Sequence, residues 1–226
     1  MRLLPGKSES TNLSEKKTPQ EAGHELLSGI TQMLILLILR QGPQHGYELA
    51  SILEPFYQRR LSPGTIYPLL QRMENKEYIQ SRTTTVSGRT RKTYIITRLG
   101  RIAMENALEC LQCIVDNEKA QLDQDTAGSE LLKSLAQFRI LLILDKSPLH
   151  GYDLVEQLDV HFGQKIALGT IYPSLHRLVE KEYIIAKSEF DGDRERKVYD
   201  LTNLGREATK YAFQEITRIV SGEFFT

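Results

Sequence analysis

The chain has no tryptophan, only two cysteines, no excess of charge of either sign and no long hydrophobic run. Each absence removes a class of answer. Cys110 and Cys113 are too few for a disulfide scaffold in 226 residues. They fit a reducing compartment, and with no signal-peptide pattern the cytoplasm is the expected location. Twenty-nine Lys and Arg balance twenty-nine Asp and Glu, so any nucleic-acid partner has to be met by a local basic patch rather than by overall charge. The longest apolar runs, Met33 to Leu39 and Ile140 to Leu144, stop at Arg40 and Asp145. A membrane-spanning helix needs about 20 apolar residues, so no membrane role is expected. The chain has no H-E-x-x-H, G-x-S-x-G, Walker loop or dinucleotide glycine fingerprint, and neither catalysis, a cofactor nor a metal site is expected.

What the chain does have is a repetition. "GTIYP" occurs at 64–68 and again at 169–173, an offset of 105 residues. The same offset carries Gly23, Glu25, Leu26 and Leu27 onto Gly128, Glu130, Leu131 and Leu132, and "HGY" at 45–47 onto 150–152. It also carries Arg72 onto Arg177, "KEYI" at 76–79 onto 181–184, and Thr97, Leu99, Gly100 and Arg101 onto Thr202, Leu204, Gly205 and Arg206. A period this long is a domain rather than a solenoid unit. The sequence therefore divides into a disordered polar tail (1–22), a first domain (23–122), a linker (123–127) and a second domain (128–226).

Within the first copy, apolar residues from Leu26 to Ile38 at three and four spacings predict one amphipathic helix ending before "QGPQHG". A short helix is expected from about Gly46 to Leu53. A third spans 62–77, with Ser62 as N-cap and Pro63 at its first position. Its apolar stripe is Ile66, Leu69, Leu70 and Met73; Thr65, Pro68, Gln71, Arg72 and Asn75 face the other way, with Tyr67 at the edge. Two β-rich runs around Ser87 and Gly88 predict a hairpin. A long helix over 99–122 follows, with Ile102, Leu108, Leu111, Ile114 and Val115 as its stripe. The second copy repeats the order, with its third helix at 167–182. The expected fold class is mainly α with small β wings: two tandem winged helix-turn-helix domains, each ending in a long trailing helix. A winged helix offers its third helix to the DNA major groove and its wing to the backbone or minor groove.

Each copy resembles the PadR-like transcriptional regulators. The resemblance rests on "HGYEL" at 45–49 and "HGYDL" at 150–154, on "SPGTIYPLLQRM" at 62–73 and "LGTIYPSLHRL" at 168–178, and on "RKTYIITRLG" at 91–100 and "RKVYDLTNLG" at 196–205. It implies that the "GTxYP" helix is the recognition helix, that the "RKxYxLT" strand closes the wing, and that the trailing helix is of the dimerisation type, packing on the first helix of a partner subunit in a two-fold dimer. Members of the family usually carry one such domain. Two in one chain imply a covalent pseudo-dimer in which helix 99–122 lies near helix 129–144, with recognition helices addressing half-sites roughly 34 Å apart. Further homodimerisation stays open.

Double-stranded operator DNA is the expected partner, and repression the expected role. The expected contacts are Ser62, Thr65, Tyr67, Gln71, Arg72, Arg89, Arg91 and Lys92 in the first copy, and Thr170, Tyr172, His176, Arg177, Arg194, Arg196 and Lys197 in the second. The copies differ in charge. The wing at 82–92 has four basic residues and no acid, whereas 187–197 sets four basic against four acidic residues. Residues 23–122 carry net +3 and 128–226 net −2, so the first copy should hold DNA more tightly. His45 and His150 read as capping or packed residues. The C-x-x-C of Cys110 and Cys113 lies on one helix face and reads as structural. Tyr47, Tyr57, Tyr78, Tyr94, Phe138, Tyr152, Phe162, Tyr211 and Phe213 are either core or the lining of a small-molecule effector pocket that the resemblance allows. The rival to a DNA-binding regulator is a winged-helix scaffold for protein partners.

Overall fold

Two copies of one element order stand at the 105-residue offset in the computed structural model, which describes residues 17–86, 89–118, 127–132, 135–162, 167–191 and 194–225. The first copy runs α1 (Pro19–Leu26), α2 (Thr31–Gln41), β1 (Gln44–His45), α3 (Gly46–Ile52), α4 (Glu54–Tyr57), α5 (Pro63–Asn75), β2 (Ile79–Val86), β3 (Arg89–Ile96) and α6 (Arg98–Val115). The second runs α7 (Ala136–Leu144), β4 (Leu149–His150), α8 (Gly151–Phe162), α9 (Leu168–Glu180), β5 (Ile184–Asp191), β6 (Arg194–Leu201) and α10 (Asn203–Val220). Each wing is a three-stranded antiparallel sheet, ordered β1-β3-β2 and β4-β6-β5. The expected hairpin pairs down to Val86 opposite Arg89. The two-residue strands β1 and β4 carry no sequence signal of their own. They pair because His45 and His150 lie beside Thr93 and Val198 in the fold. No single described helix is long and apolar enough to cross a membrane.

The repeated "KEYI" and "T-x-L-G" motifs form one joint. Helix α5 ends in a Schellman arrangement: Tyr78 N–H donates to Met73 O (3.0 Å) and Glu77 N–H to Glu74 O (2.9 Å), with Glu77 in the left-handed region at φ 58°. A non-glycine residue there costs roughly 1 kcal/mol, and the joint offsets it. Thr97, the N-cap of α6, donates its hydroxyl to Glu77 O (2.6 Å) and accepts from Gly100 N–H (3.0 Å). A Cβ on Gly100 would sit 2.0 Å from Tyr78 O. Glu182, Tyr183, Thr202 and Gly205 repeat all of this in the second copy.

Several boundaries differ from the sequence reading. Of the stretch expected as a tail, residues 1–16 lie outside the described residues, but 19–22 are helical. Thr18 and Glu21 form a capping box, with Thr18 Oγ1 accepting from Glu21 N–H at 3.2 Å and Glu21 Oε2 from Thr18 N–H at 2.9 Å, and Pro19 starts the helix. The single helix expected over 26–38 is two, bent by 45° at a 3-10 turn, Ser28–Ile30. Thr31 Oγ1 fixes that turn by donating to Ser28 O. The second helix, Gly46–Ile52 with Leu53 as its C-cap, agrees with the expected Gly46 to Leu53, but an unexpected short helix, α4, follows it with Pro55 in its first turn. Helix α6 ends at Val115, short of 122, because Asn117 enters the left-handed region and Glu118 N–H closes a Schellman bond to Cys113 O. Ile102 points to solvent, and Ala103, Met104, Ala107 and Cys110 join Leu111 and Ile114 in the buried face. In the second copy, a 3-10 turn at Ser129–Leu131 precedes α7 where one helix over 129–144 was expected. Of the linker expected over 123–127, only Ala127 is described.

The two copies share one core. Helix α1 packs along α10, α6 crosses α10, and the turn at 129–131 lies on α6. Two glycines allow this approach at matching places. A Cβ on Gly23 would come within 2.5 Å of the Tyr211 ring and 3.1 Å of Ala208 O, and one on Gly128 would be 2.2 Å from Ala103 O. Gly23 and Gly128, like Ala103 and Ala208, are 105 residues apart. Cys110 is buried in this core, and burial pushes its thiol up to about 11, so it packs as a neutral group as expected.

An ion pair crosses between the copies. Glu25 accepts from Lys181 Nζ (3.0 Å) and from the Tyr183 hydroxyl (2.8 Å), and Lys17 also reaches it. Partial burial raises its carboxyl pKa, but the hydrogen bonds from Lys17, Lys181 and Tyr183 outweigh it and bring the value down to about 2. An unfolded carboxyl takes up its proton near 4.5, so this stabilisation is complete above about pH 5 and is lost as pH falls toward 2. A third of the side chain is in contact with water, which limits the gain to about 1–2 kcal/mol. Glu25→Gln should lower the unfolding free energy from urea titration by that amount at pH 7, moving the midpoint down, and flatten the stability profile between pH 5 and pH 2. An unchanged midpoint would refute the link.

Candidate nucleic-acid interface

Each copy's third helix, α5 or α9, starts within a residue of where the sequence places it. Ser62 is the N-cap of α5, and its carbonyl accepts from Thr65 and Ile66 N–H (2.9 and 3.0 Å). Its hydroxyl meets the Thr65 hydroxyl at 2.9 Å rather than a backbone donor. Ile66, Leu69, Leu70 and Met73 are buried, leaving Thr65, Tyr67, Pro68, Gln71, Arg72 and Asn75 on the outer face. In α9, Ile171, Leu175 and Leu178 are buried and Thr170, Tyr172, His176 and Arg177 face outward.

The "HGY" and "GTIYP" motifs touch. A Cβ on Gly46 would lie 2.7 Å from the Tyr67 ring, and one on Gly151 would lie 2.9 Å from the Tyr172 ring. Glycine therefore lets the recognition-helix tyrosine lie against the start of α3 or α8, leaving both tyrosines about half exposed, at 46% and 47%. His45 is a packed residue: its Nδ1 donates to Lys92 O (3.0 Å), and His150 repeats this with Lys197 O (3.3 Å). His45 N–H donates to Glu48 Oε2, and the Tyr47 hydroxyl donates to Glu48 Oε1. The same contacts tie the wing to the helix start, so wing and recognition helix are held as one unit.

Gly64 and Gly169 behave differently from these glycines. Among the described residues outside its own helix, nothing but Ser62 Oγ at 3.8 Å comes near a Cβ on Gly64, and none lies within 4 Å of one on Gly169. An exposed glycine in the first helical turn costs roughly 1 kcal/mol against alanine. No described neighbour outside the helix accounts for it; the Pro68 and Pro173 rings, which crowd the carbonyl one turn back, are a physical reason for glycine there.

Ser62, Thr65, Tyr67, Gln71 and Arg72 of the first copy are exposed, as are Arg91 and Lys92 of β3, while Arg196 and Lys197 of β6 line one groove with Tyr172 and His176 of α9. The side chains of Arg89 and Arg194 lie outside the described residues. Tyr47 and Tyr152, expected as core or effector-pocket residues, are exposed instead, Tyr152 in a groove with Tyr172 and His176; their place in "HGY" beside the glycine was the available signal. Lys92 Nζ approaches Glu74 Oε2 (3.8 Å) between wing and helix. Val179 stands at the Glu74 position in the second copy, where a groove of about 1050 Å³ opens between α9 and β6, lined by Tyr152, Tyr172, His176, Glu195 and Lys197. Wing two also exposes Phe190, at 74%.

A second cavity, of about 390 Å³, lies between the copies. Phe56 and Ile52 come from one side, and Tyr211, Glu215 and Phe224 from the other. His24 is buried beside it, hydrogen-bonded to the Tyr211 hydroxyl (3.0 Å). Burial lowers its pKa, partly countered by Glu215. Of the aromatic residues with two open readings, Tyr211 lines this cavity and Tyr152 the groove, whereas Tyr78, Tyr94, Phe138 and Phe162 are buried.

A family model described as "Transcriptional regulator PadR-like family" matches the chain twice, over residues 35–106 and 140–211. The transcriptional regulator Rv3488 of Mycobacterium tuberculosis is 31% identical over 96 residues, which are 41% of this chain and 89% of that protein. An uncharacterized 37.1 kDa protein in transposon TN4556 of Streptomyces fradiae is 33% identical over 150 residues, covering 62% of this chain but only 40% of its own length. Among solved structures, a PadR-like transcriptional regulator from Bacillus cereus is 25% identical, with a TM-score of 0.39 over 42% of this chain and 92% of its own. With both of its copies matched, over more than half of its length, the chain belongs to the PadR-like family of transcriptional regulators.

Proposed function

We propose that the chain is a DNA-binding repressor in which one polypeptide takes the place of a two-fold dimer. The observation that carries this reading is the reciprocal packing of the copies: Gly23 on Ala208, and Gly128 on Ala103. Each copy's leading segment lies on the other's closing helix, the relation a symmetric dimer makes between subunits. The same helix face is left uncovered in both copies, beside a wing bearing Arg91 and Lys92 or Arg196 and Lys197. Ser62, Thr65, Tyr67, Gln71 and Arg72, with Thr170, Tyr172, His176 and Arg177, are the side chains that would meet the grooves. The wing cations, Arg89 and Arg194 among them, would meet phosphate.

In this reading the first copy holds DNA more tightly, because Glu189, Asp191, Asp193 and Glu195 in the second wing oppose its cations. The cavity between the copies is the place for an effector, since a ligand there touches α10 and the α3–α4 segment together. No catalysis is assigned, and a regulator of this kind acts in the cytoplasm. The acidic second wing with its exposed Phe190 favours the rival, a scaffold for protein partners.

A salt titration separates the two. With the duplex upstream of its own gene as probe, the logarithm of affinity for a repressor should fall linearly with the logarithm of salt concentration, with a slope of about −0.9 per phosphate contact. Negligible binding to every duplex at physiological salt would leave the scaffold standing.

A further inference from the structure

The two recognition faces are alike at Thr65 and Thr170, Tyr67 and Tyr172, and Arg72 and Arg177. Apart from Ser62 against Ala167, Leu69 against Ser174 and Glu74 against Val179, their outward faces differ in hydrogen-bonding chemistry at Gln71 against His176 and, a turn on, at Asn75 against Glu180. In α5, Gln71 Nε2 donates to Asn75 Oδ1 at 3.1 Å. In α9, His176 Nδ1 stands 3.4 Å from Glu180 Oε1. All four side chains are exposed.

The amide pair presents both kinds of partner. One Nε2 hydrogen of Gln71 is used by Asn75, which fixes the amide plane; the other hydrogen and Oε1 remain for a ligand. A donor and an acceptor side by side match adenine N7 and N6–H₂ in the major groove. The other pair presents acceptors. The Glu180 carboxylate accepts only, and in the neutral imidazole whose Nδ1–H faces Glu180 the Nε2 of His176 accepts too. An acceptor pair meets a base that offers a donor without an adjoining acceptor. In the major groove that base is cytosine, through N4–H₂, whereas adenine N7 would repel the carboxylate.

Resting on the DNA-binding reading, we propose that the operator is directional, with an A·T pair facing Gln71 in one half-site and a C·G pair facing His176 and Glu180 at the equivalent position of the other. The arginines are also held differently. Arg177 Nη2 donates to Ser174 Oγ at 3.3 Å, while the equivalent neighbour of Arg72 is Leu69, which has no such acceptor. The shared Thr, Tyr and Arg set the common part of both half-sites, and the differing pair sets their order along the duplex. One chain then binds its site in a single orientation, which a homodimer of identical subunits cannot do.

Selection from a random duplex library with the full-length protein tests this. The wild type should enrich two half-sites that share most positions and differ at one, A·T against C·G. Exchanging the two pairs should weaken binding about 5- to 100-fold. His176→Gln with Glu180→Asn should turn the selected site into a palindrome with A·T in both halves, and Gln71→His with Asn75→Glu into one with C·G in both. Because these side chains are exposed, thermal melting should be unchanged and preference alone should move. Identical half-sites for the wild type, selection by one copy only, or variants with unaltered preference would each overturn directional reading while leaving DNA binding in place. No salt-dependent enrichment of any duplex would remove both this inference and the repressor reading.

Discussion

Gly205→Ala should unfold the second winged helix instead of loosening it. The added Cβ would lie 1.9 Å from Tyr183 O and 2.8 Å from Tyr183 C. These are backbone atoms, so no side-chain rotation relieves the clash. Nor can the backbone retreat easily. Tyr183 O also accepts from Thr202 N–H, the Thr202 hydroxyl bridges Glu182 O and Gly205 N–H at 2.6 and 2.9 Å, and the Tyr183 side chain is fully buried with its hydroxyl on Glu25. Recognition-helix end, wing and α10 therefore move together or not at all, and a loss of about 3–5 kcal/mol is expected, comparable with severe overpacking. Gly100→Ala, where the contact is 2.0 Å, should cost the same in the first copy. Urea unfolding of the two variants and of Gly169→Ala measures this. The last should cost nothing, or gain up to about 1 kcal/mol, because its Cβ meets open space. A loss below about 1 kcal/mol for Gly205→Ala would mean that the joint can relax.

Arg72→Ala and Arg177→Ala should each weaken specific DNA binding by about 1–3 kcal/mol without shifting the unfolding midpoint. Both guanidinium groups leave the exposed face of a helix whose opposite face is core, so stability is separable from recognition. If each arginine serves one half-site, the double variant loses both contributions nearly additively, since α5 and α9 belong to different copies. Gel-shift or fluorescence titrations at fixed salt give the losses, and the salt slope should fall by about one per phosphate contact removed. An effect of Arg72→Ala alone would leave the second copy as an architectural partner and would require two chains for recognition. No effect of either would take the proposed face out of the interface.

Local chemistry made much of this legible. Ser62 and Pro63 announce a helix start because capping and a fixed φ act within a few residues. The outward position of Gln71 and Arg72 follows from the 3.6-residue period once Ile66, Leu70 and Met73 are taken as core. What failed locally failed for tertiary reasons. Periodicity runs straight through Leu27, although Ser28–Ile30 is a 3-10 turn, because an apolar stripe says where a face points and not whether the axis bends. Ile102 fits the apolar stripe of α6 and is exposed, since the surface that α6 buries is set by what lies on it: α2, α10 and the turn at 129–131. Glycine at 23 and 128 could be seen to repeat, but nothing in the sequence said what approaches it.

By itself, the sequence determined that there are two copies, that in each a third helix, a wing hairpin and a long closing helix follow one another, and which face of each third helix meets water. These depend on interactions spanning one to four residues, or on a strand and its hairpin partner. Only the tertiary structure decided that the copies close on each other, Glu25 reaching Lys181 and Tyr183, and His24 reaching Tyr211. Such pairs are separated by more than 150 residues. Their energy depends on burial and on the geometry of groups that no local pattern brings together, so they exist only once both cores have formed.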